Sequence, residues 1–398
     1  MPNPPRLLFA SYHGYFDPSS GAALATRDLL ELLAAAGWPC GAVCGPDLDR
    51  PPTAGRAAAL AGLGLAVSAE PGAGGCPHQL FHTAAGGVRC TVFEPAGWAG
   101  PRPAAAGEVA AFLAVFGRVA AHFRPDVVLT YGGGPAAGPL MARAKELGAK
   151  VAFALHNFGY PGPAAVRAAD AVFVPSRFAQ AAYARRGVTA AVLPGPIPWD
   201  RVRAPAAAGR FVTFVNPVPA KGAFVVARVV AELGRRRPDI PFLVVEGRGG
   251  VDWLGKAGVD LAGLPTVHRM ANSGRPADFY ALSRVVLMPS LWDESLGRVA
   301  VEALINGLPV VASDRGALPE TLGAAGVCLP LPPACTPESR AAPSAAEVEP
   351  WCAEVERLWD DAAYYAARSA ASRLAAERWR PAALLPAFEA FFRRVAAA

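Results

Sequence analysis

The segment from Val286 to Ala303 constrains the fold of this chain more than any other. An apolar strand, Val286–Met288, runs into a Pro-Ser turn and a short acidic loop, and the sequence predicts that a helix begins near Leu296. A buried apolar run followed closely by a helix is typical of a parallel α/β sheet. The free amides and the positive end of such a helix make a site for an anion.

Two glutamates, Glu294 and Glu302, flank this predicted anion site with seven residues between them. Carboxylates repel phosphate but accept hydrogen bonds from hydroxyl groups. The arrangement therefore suits a nucleotide sugar, with phosphates in the middle, ribose on one side and hexose on the other. The alternative is an ordinary helix that carries two solvated glutamates.

The residues after the helix carry a resemblance to a known family. They read Asn306-Gly307-Leu308-Pro309-Val310-Val311, and Pro319-Glu320 follows. With Glu294 and Glu302, this pattern resembles the retaining glycosyltransferases of family 4, which have the two-domain GT-B fold. The resemblance implies that Glu294 contacts the donor sugar and Glu302 the ribose. It also implies that the start of the helix holds the donor diphosphate, through Ser295, Leu296, Gly297, Arg298 and Val299.

At 398 residues the chain is too long for one ordinary core, and two domains are expected. Short apolar runs alternate with helical patterns, which favours two parallel sheets. We predict an α/β protein of the GT-B type, with two Rossmann-like, doubly wound domains that face each other across a cleft. The predicted segments are an acceptor domain (1–198), a donor domain (199–380), a terminal helix that packs back on the first domain (381–398), a linker (197–210) and a loop (330–350).

A second part of the resemblance follows the strand Phe211–Val215. The family has an arginine and a Lys-Gly pair here that hold the diphosphate. Lys221 and Gly222 match the pair, but Asn216 stands where the arginine is expected. A lysine is a compact charge suited to phosphate, although a solvated loop lysine is the alternative. Arg298 is a speculative replacement for the missing cation.

Three further residues are candidates because of their places beside predicted strands. Gly21 precedes a helix after the first strand, where the family approaches the donor phosphates, although an ordinary turn explains it as well. His156 ends the strand Val151–Leu155, and the resemblance implies hydrogen bonding near the reacting sugar; a structural histidine is the alternative. Met270 is predicted to pack on the nucleobase. The glycines after Tyr131 fit either a close ligand or a flexible turn.

Charge and composition exclude several classes of function. The net charge of +6 comes without a dense Lys/Arg block, so nucleic-acid binding is not expected. The apolar run Val109–Val119 is shorter than a membrane span, and Met1–Pro5 lacks a signal pattern, so we predict a cytoplasmic protein without a transmembrane segment. The seven scattered cysteines are predicted to be reduced thiols.

No metal or other cofactor is predicted. Asp47-Leu48-Asp49 is a literal Asp-x-Asp, the metal motif of a different glycosyltransferase fold, and we interpret it as a solvated turn. The predicted partners are a nucleotide-sugar donor and a small soluble acceptor, and the oligomeric state is left open.

The resulting prediction is a retaining, metal-independent hexosyltransferase that uses a UDP- or GDP-linked sugar and a soluble acceptor hydroxyl. Its predicted catalytic residues are Glu294, His156 and Lys221. The alternative is a catalytically impaired nucleotide-sugar-binding protein of the same fold, since Asn216 replaces the expected arginine.

Overall fold

The computed structural model describes residues 3–49, 55–71, 77–100, 102–205, 209–259, 266–271 and 273–398. The chain forms two compact units. Unit 1 extends to Pro196 and includes Leu384–Ala398, and unit 2 is Ile197–Ala383. The division after Pro196 lies close to the boundary predicted after residue 198.

Unit 1 is built around one sheet. Its strands are β1 (Leu7–His13), β2 (Cys40–Asp47), β3 (Ser68–Pro71), β4 (His78–Ala85), β5 (Val88–Pro95), β6 (Val127–Thr130), β7 (Lys150–Ala154), β8 (Ala171–Val174) and β9 (Ala191–Val192). Among the described residues they lie in the order β3-β4-β5-β2-β1-β6-β7-β8-β9. The run from β5 through β2 and β1 to β9 is parallel, as predicted.

An antiparallel hairpin, which the sequence analysis did not predict, extends this sheet at one edge. Strand β4 pairs with β5, and β3 pairs with β4. Gly86 and Gly87 form the turn, with φ values of +54° and +81°. Positive φ at both central residues matches the twist of a two-residue hairpin, and glycine adopts it without strain. The signal for this hairpin in the sequence was the pair of adjacent glycines between two runs of alternating apolar and polar residues.

Unit 2 contains a second sheet, which is parallel throughout its described strands. Its strands are β10 (Phe211–Val215), β11 (Phe242–Val245), β12 (Val267–Met270), β13 (Ser283–Met288), β14 (Val310–Ser313) and β15 (Val327–Leu329). They lie in the order β12-β11-β10-β13-β14-β15. The order reverses direction at β10, so β10 and β13 are neighbours.

The α-helices follow the strands in alternation. They are α1 (Gly21–Ala35), α2 (Arg56–Gly62), α3 (Ala106–Phe123), α4 (Ala137–Glu146), α5 (Arg177–Ala184), α6 (Trp199–Val202), α7 (Ala223–Arg236), α8 (Asp252–Gly255), α9 (Ala277–Tyr280), α10 (Arg298–Ile305), α11 (Leu318–Leu322), α12 (Ala345–Asp360), α13 (Ala362–Ala376) and α14 (Pro381–Ala397). Short 3-10 turns occur at Pro163–Val166, Pro219–Lys221, Gly323–Ala325 and Glu377–Trp379.

Helices cover both faces of the unit 1 sheet. Val174 of β8 lies in a core cluster with Phe112 of α3 and Leu140 of α4. The preceding residue, Phe173, points to the other face, where its ring lies 5.4 Å from that of Phe391 in α14. Successive residues of a strand point to opposite faces. The sheet is therefore doubly wound, and the terminal helix α14 packs on unit 1.

The core of unit 2 lies between its sheet and the helices α7 and α12. Val212 and Phe214 of β10 are buried with Val230 of α7 and with Trp351 and Val355 of α12. This packing buries one face of β10 and fixes the strand whose end carries Lys221.

Helix α3 is long and apolar enough to cross a membrane by length and composition, with 22% of the stretch buried. This length exceeds the predicted apolar run Val109–Val119, so the expectation of no membrane-length apolar segment was wrong. Residues Val109, Phe112 and Phe116 of α3 are buried in the core of unit 1. One face of the helix thus packs in the core of unit 1.

Two segments that were predicted without helices, the linker 197–210 and the loop 330–350, contain helical residues. The four residues of α6 lie inside the predicted linker 197–210, of which residues 206–208 lie outside the described residues. Helix α12 begins inside the predicted loop 330–350. Ser344 accepts a hydrogen bond from the Glu347 amide while the Glu347 carboxylate accepts one from the Ser344 amide. This capping box starts the helix before Pro350, which the sequence analysis had taken as a loop residue.

Candidate functional site

The site in unit 2 lies at the carboxyl ends of β10 and β13. Ligands of open parallel sheets bind outside the carboxyl ends of the strands, where the strand order reverses. Lys221 follows β10 and Glu294 follows β13. Because these two strands are parallel neighbours, residues 73 positions apart in the chain come together.

Gly222 fixes Lys221 against the loop after β13. Its φ is +87°, and a Cβ at this position would overlap the carbonyl oxygen of Pro289. The amide of Leu291 donates to the carbonyl of Ala220 at 2.9 Å and ties the two loops together. The Lys-Gly pair therefore has a steric basis, since any side chain at residue 222 would push the lysine loop away.

Glu294 is 7% exposed and lies at the centre of a hydrogen-bonded group. Its Oε1 accepts hydrogen bonds from Lys221 Nζ, from Ser290 Oγ at 2.7 Å and from Trp292 Nε1 at 3.0 Å. Burial alone raises the pKa of this carboxyl, but the Lys221 charge and these hydrogen bonds outweigh burial and lower the pKa. Glu294 is therefore an ionised, oriented acceptor.

The Glu294 Oε2 atom accepts no hydrogen bond from the described part of the chain. All three donors use Oε1. One oxygen thus holds the side chain in place while the other remains able to accept hydrogen bonds from a ligand.

Trp292 is a site residue to which the sequence analysis gave no role. The Lys221 ammonium lies 4.7 Å from the centre of its ring, within the range of a cation–π interaction. The side chain is 37% exposed although it is large and apolar. Its position two residues before Glu294 was the only available signal, and that signal does not reveal the contact with Lys221.

Glu302 and Arg298 form a second ion pair between a buried carboxylate and a cation of the site. Glu302 is 6% exposed, and it accepts hydrogen bonds from Arg298 Nε at 2.9 Å and from the Tyr280 hydroxyl at 3.0 Å. Burial raises the pKa of Tyr280 well above its ordinary value, and the Glu302 charge adds to the increase. Arg298, a speculative diphosphate cation, is thus bound to the second glutamate.

Helix α10 begins at Arg298, two residues later than predicted. Gly297 precedes it with a φ of +82°, and a Cβ there would clash with Leu318. The Gly297 carbonyl accepts from the Ala300 amide at 2.9 Å. Leu296 lies outside the helix, where its carbonyl accepts from the Thr321 hydroxyl. The left-handed conformation of Gly297 explains the later start of the helix, because the chain changes direction at Gly297 and becomes helical only at Arg298.

Asn216 has a structural role in place of the expected arginine. Its φ is +62°, a conformation that asparagine tolerates better than most residues. Its Oδ1 accepts from the amides of Arg248 at 2.9 Å and Gly249 at 3.3 Å. The side chain thus organises the loop after β11. Met270 ends β12 and is half-buried, at the same edge of the sheet.

The other predicted residues lie in unit 1. Gly21 is the first residue of α1, and a Cβ there would meet no atom within 4 Å, so nothing in the described fold requires glycine. His156 follows β7, and its Nε2 lies 3.4 Å from the Thr26 hydroxyl. Burial lowers the His156 pKa to about 4, so its imidazole is neutral near pH 7.

The Asp-x-Asp segment agrees with the predicted solvated turn at Asp49, which is exposed, and departs from it at Asp47, which belongs to a strand. Asp47 is the last residue of β2, and its carboxylate accepts from Trp98 Nε1 at 3.3 Å. Asp49 lies with His13 and Asp17, and ligand atoms of the three are within 4.8 Å of one another. This grouping leaves no local pattern in the sequence, because His13 and Asp17 follow β1 whereas Asp49 follows β2.

Comparison with known proteins supports the resemblance inferred from the motifs. Residues 206–333 match the sequence model of the family Glycosyl transferases group 1. A phosphatidyl-myo-inositol mannosyltransferase from Mycolicibacterium smegmatis is 36% identical over 127 residues, which are 31% of this chain and 33% of that protein. A D-inositol 3-phosphate glycosyltransferase from Arthrobacter is 38% identical over 104 residues, which are 25% of this chain and 24% of that protein. The chain thus matches about a third or less of the length of these relatives.

Solved structures resemble the chain over nearly its full length. Anabaena HepE in complex with UDP and glucose matches with a TM-score of 0.67 and 16% identity, covering 98% of this chain and 99% of that one. A glycosyltransferase from Rickettsia africae matches with a TM-score of 0.67 and 13% identity, covering 99% of both chains. The predicted GT-B fold is confirmed by these likenesses.

Proposed function

We propose that this protein is a retaining glycosyltransferase that moves a hexosyl group from a UDP- or GDP-linked sugar to a hydroxyl of a soluble acceptor in the cytoplasm. The match to Glycosyl transferases group 1 supports the reaction class. The donor class rests on the relatives: one is named as GDP-mannose-dependent, and a solved structure of similar fold contains UDP-glucose.

The observation that carries the proposal is the arrangement of Glu294. Its Oε1 is held by Lys221, Ser290 and Trp292, and its Oε2 faces no protein donor among the described residues. A buried, ionised carboxylate with one satisfied and one available oxygen is suited to accept hydrogen bonds from hexose hydroxyls. We assign the adjacent ammonium of Lys221 to the diphosphate of the donor.

In the proposed reaction the bond between C1 of the hexose and the diphosphate oxygen breaks, and a bond from C1 to the acceptor oxygen forms on the same face. The acceptor proton passes to an oxygen of the leaving diphosphate. Lys221 stabilises the negative charge that develops there, and Glu302 holds the ribose. His156, as a neutral imidazole, contributes hydrogen bonds near the reacting sugar. No metal ion takes part in this proposal.

The test is a thermal-shift panel of UDP-, GDP- and dTDP-hexoses, followed by transfer assays with the stabilising donor. We expect one nucleotide class to raise the melting temperature and its sugar to appear in the product with the donor's anomeric configuration, as read by NMR. An inverted product would reject the retaining mechanism. Donor binding without transfer or hydrolysis for every acceptor would favour the impaired nucleotide-sugar-binding protein.

A further inference from the structure

Trp292 contacts two charged side chains of the proposed donor site at once. Its indole Nε1 donates a hydrogen bond to Glu294 Oε1 at 3.0 Å, and the centre of its ring lies 4.7 Å from Lys221 Nζ. Lys221 donates to the same oxygen of Glu294. The three side chains therefore contact one another pairwise, and two different parts of the indole make the two contacts of Trp292.

These contacts are not part of the packing of the core. Trp292 is 37% exposed and does not belong to the buried cluster of unit 2 among the described residues, whereas its neighbour Leu291 does. The loop after β13 is thus fixed in the core through Leu291. The polar contacts of Trp292 come in addition, and both involve residues assigned to the donor.

Glu294 Oε1 accepts three hydrogen bonds, although a carboxylate oxygen has only two lone pairs. Ser290 is a fixed donor, because it is 1% exposed and its carbonyl accepts from Ser313 Oγ at 2.7 Å. The indole N–H is a second donor on a rigid ring. The Lys221 ammonium ends a flexible four-carbon chain, so it is the donor that can be exchanged. Ser290 and Trp292 can therefore satisfy Oε1 by themselves.

The ring of Trp292 gives the exchangeable ammonium a second point of attachment. A cation–π interaction depends on the charge of the ammonium, and it persists when the ammonium donates to a new acceptor. An ammonium has three N–H donors, of which Glu294 uses one. Lys221 can therefore turn to a phosphate oxygen while the ring keeps it in the site.

We infer that Trp292 is a positioning residue of the proposed transfer reaction. Its N–H holds Glu294 in the orientation that meets the hexose, and its ring holds the Lys221 ammonium as that group turns from Glu294 to the diphosphate. The inference rests on the proposed function, because it assigns both partners of Trp292 to the nucleotide-sugar donor. Trp292 acts through these partners, and no contact with the donor is assigned to it.

The experiment separates the two parts of the indole by calorimetry on the full chain. The probes are UDP with UDP-glucose and GDP with GDP-mannose, so that each pair differs by the hexose. Trp292→Phe keeps an aromatic ring for Lys221 and removes the N–H. We expect the affinity for the nucleoside diphosphate to stay unchanged and the affinity for the nucleotide sugar to fall about two- to tenfold, as the loss of one hydrogen bond does.

Trp292→Leu removes the ring as well as the N–H. We expect the same loss for the nucleotide sugar and, in addition, a fall of about two- to fivefold in the affinity for the nucleoside diphosphate itself, as the loss of one exposed cation–π interaction does. A residue that only stabilised the loop would lower both affinities together in either variant.

Trp253→Leu is the matched control. The ring of Trp253 lies 4.7 Å from Lys256 Nζ, the same distance as in the site, but both residues belong to the region of α8. This variant should leave the affinities for all four probes unchanged. Melting temperatures establish that each variant is folded.

Double variants test whether Trp292 acts through its partners. In a Glu294→Ala background, Trp292→Phe should cause no further loss of nucleotide-sugar affinity. In a Lys221→Met background, Trp292→Leu should cause no further loss of nucleoside-diphosphate affinity. Residues that act as one unit are not additive, whereas independent residues are.

Additive losses in both double variants would overturn the inference. Wild-type binding in Trp292→Phe and Trp292→Leu would overturn it as well, and so would equal losses for the nucleoside diphosphate and its sugar in Trp292→Phe. In each of these cases the unmodified protein still binds the donor, and the proposed function stands. A wild-type protein that binds none of the four probes nor any donor of the thermal-shift panel would reject the proposed function, and this inference with it.

Discussion

At the strand ends of unit 2, Glu294 contacts Lys221 and Glu302 contacts Arg298, whereas Asp17 at the strand ends of unit 1 contacts an imidazole and amides. Each buried glutamate of unit 2 thus has a cation from its own site. Asp17 instead has no lysine or arginine partner among the described residues, and its partners are His13, Ser19 and Asp49. The first arrangement matches the proposed donor, which carries both phosphates and hydroxyls.

The two regions also differ in how far apart their residues lie in the chain. Glu294, Arg298 and Glu302 belong to one strand-loop-helix segment, whereas Lys221 and Tyr280 come from other elements. In unit 1, His13 ends β1, Asp17 lies in the loop that follows, and Asp49 comes from the end of the neighbouring strand β2. A short segment leaves a motif in the sequence, and a cluster assembled across a sheet does not.

The comparison is tested most strongly by Glu294→Ala. If Glu294 orients the hexose in the transition state, its removal should lower turnover about a hundred- to a thousandfold, as the loss of one transition-state contact does elsewhere. Glu302→Ala should lower turnover less, because the ribose is remote from the reacting bond. Steady-state kinetics of both variants check this order. Unchanged turnover and donor affinity in both variants would contradict the assignment of the donor site to unit 2.

The variant Lys221→Ala tests whether the Lys221 ammonium binds the diphosphate. We expect transition-state binding to fall about ten- to a hundredfold, since a charged hydrogen bond contributes about 1.5–3 kcal/mol. Arg298→Ala should have a smaller effect, because Arg298 is bound to Glu302, the carboxylate that the proposal assigns to the ribose. A crippling Arg298→Ala beside a nearly silent Lys221→Ala would reverse the assignment. Asn216→Arg completes the series, and higher activity would show that the missing arginine is a loss.

Gly222→Ala tests the steric basis of the lysine loop. An added Cβ overlaps Pro289 and must adopt a positive φ, so we expect the free energy of unfolding to fall by about 2–3 kcal/mol. Gly21→Ala in unit 1 is the matched control for stability, because no atom lies within 4 Å of a Cβ there. Denaturant unfolding measures both. Equal losses would show that the two glycine positions are not distinguished by packing.

The pH dependence of stability sharpens the contrast within unit 1. The His156 pKa falls from 6.5 to about 4 on folding, so the unfolded chain takes up a proton first as the pH drops. We expect the free energy of unfolding to decrease by about 2 kcal/mol between pH 6.5 and pH 4, allowing for partial exposure. His156→Asn should abolish that decrease. The contribution of Asp17 is present above pH 3.8 and lost as the pH falls through about 2, outside this window.

A chelator should have the smallest effect. In the proposed reaction Lys221 and the start of α10 face the diphosphate, so EDTA should leave transfer unchanged. The measurement is turnover after dialysis against EDTA, with and without added Mg²⁺ or Mn²⁺. Activity that disappears and returns with either ion would contradict the metal-independent reaction and would direct attention to His13, Asp17 and Asp49.

Local patterns in the sequence determined much of the fold. Buried strands such as Phe211–Val215 and Val310–Ser313 appear as short apolar runs, and the family resemblance of the segment around Glu294 is confirmed by the match over residues 206–333. These features depend on residues a few positions apart, which periodicity and turn chemistry report directly. The late start of α10 was missed because Gly297 adopts a left-handed conformation that the spacing does not specify.

Only the tertiary structure decided which side chains meet. The sequence placed Lys221 and Glu294 in one site but did not pair them, assigned no role to Trp292 and did not group Asp49 with His13 and Asp17. In the structure Trp292 contacts both members of the pair, and Asp49 lies with His13 and Asp17. The reason is that strand order brings together the ends of β10 and β13, and of β1, β2 and β6, and pairing between distant strands leaves no local pattern in the chain.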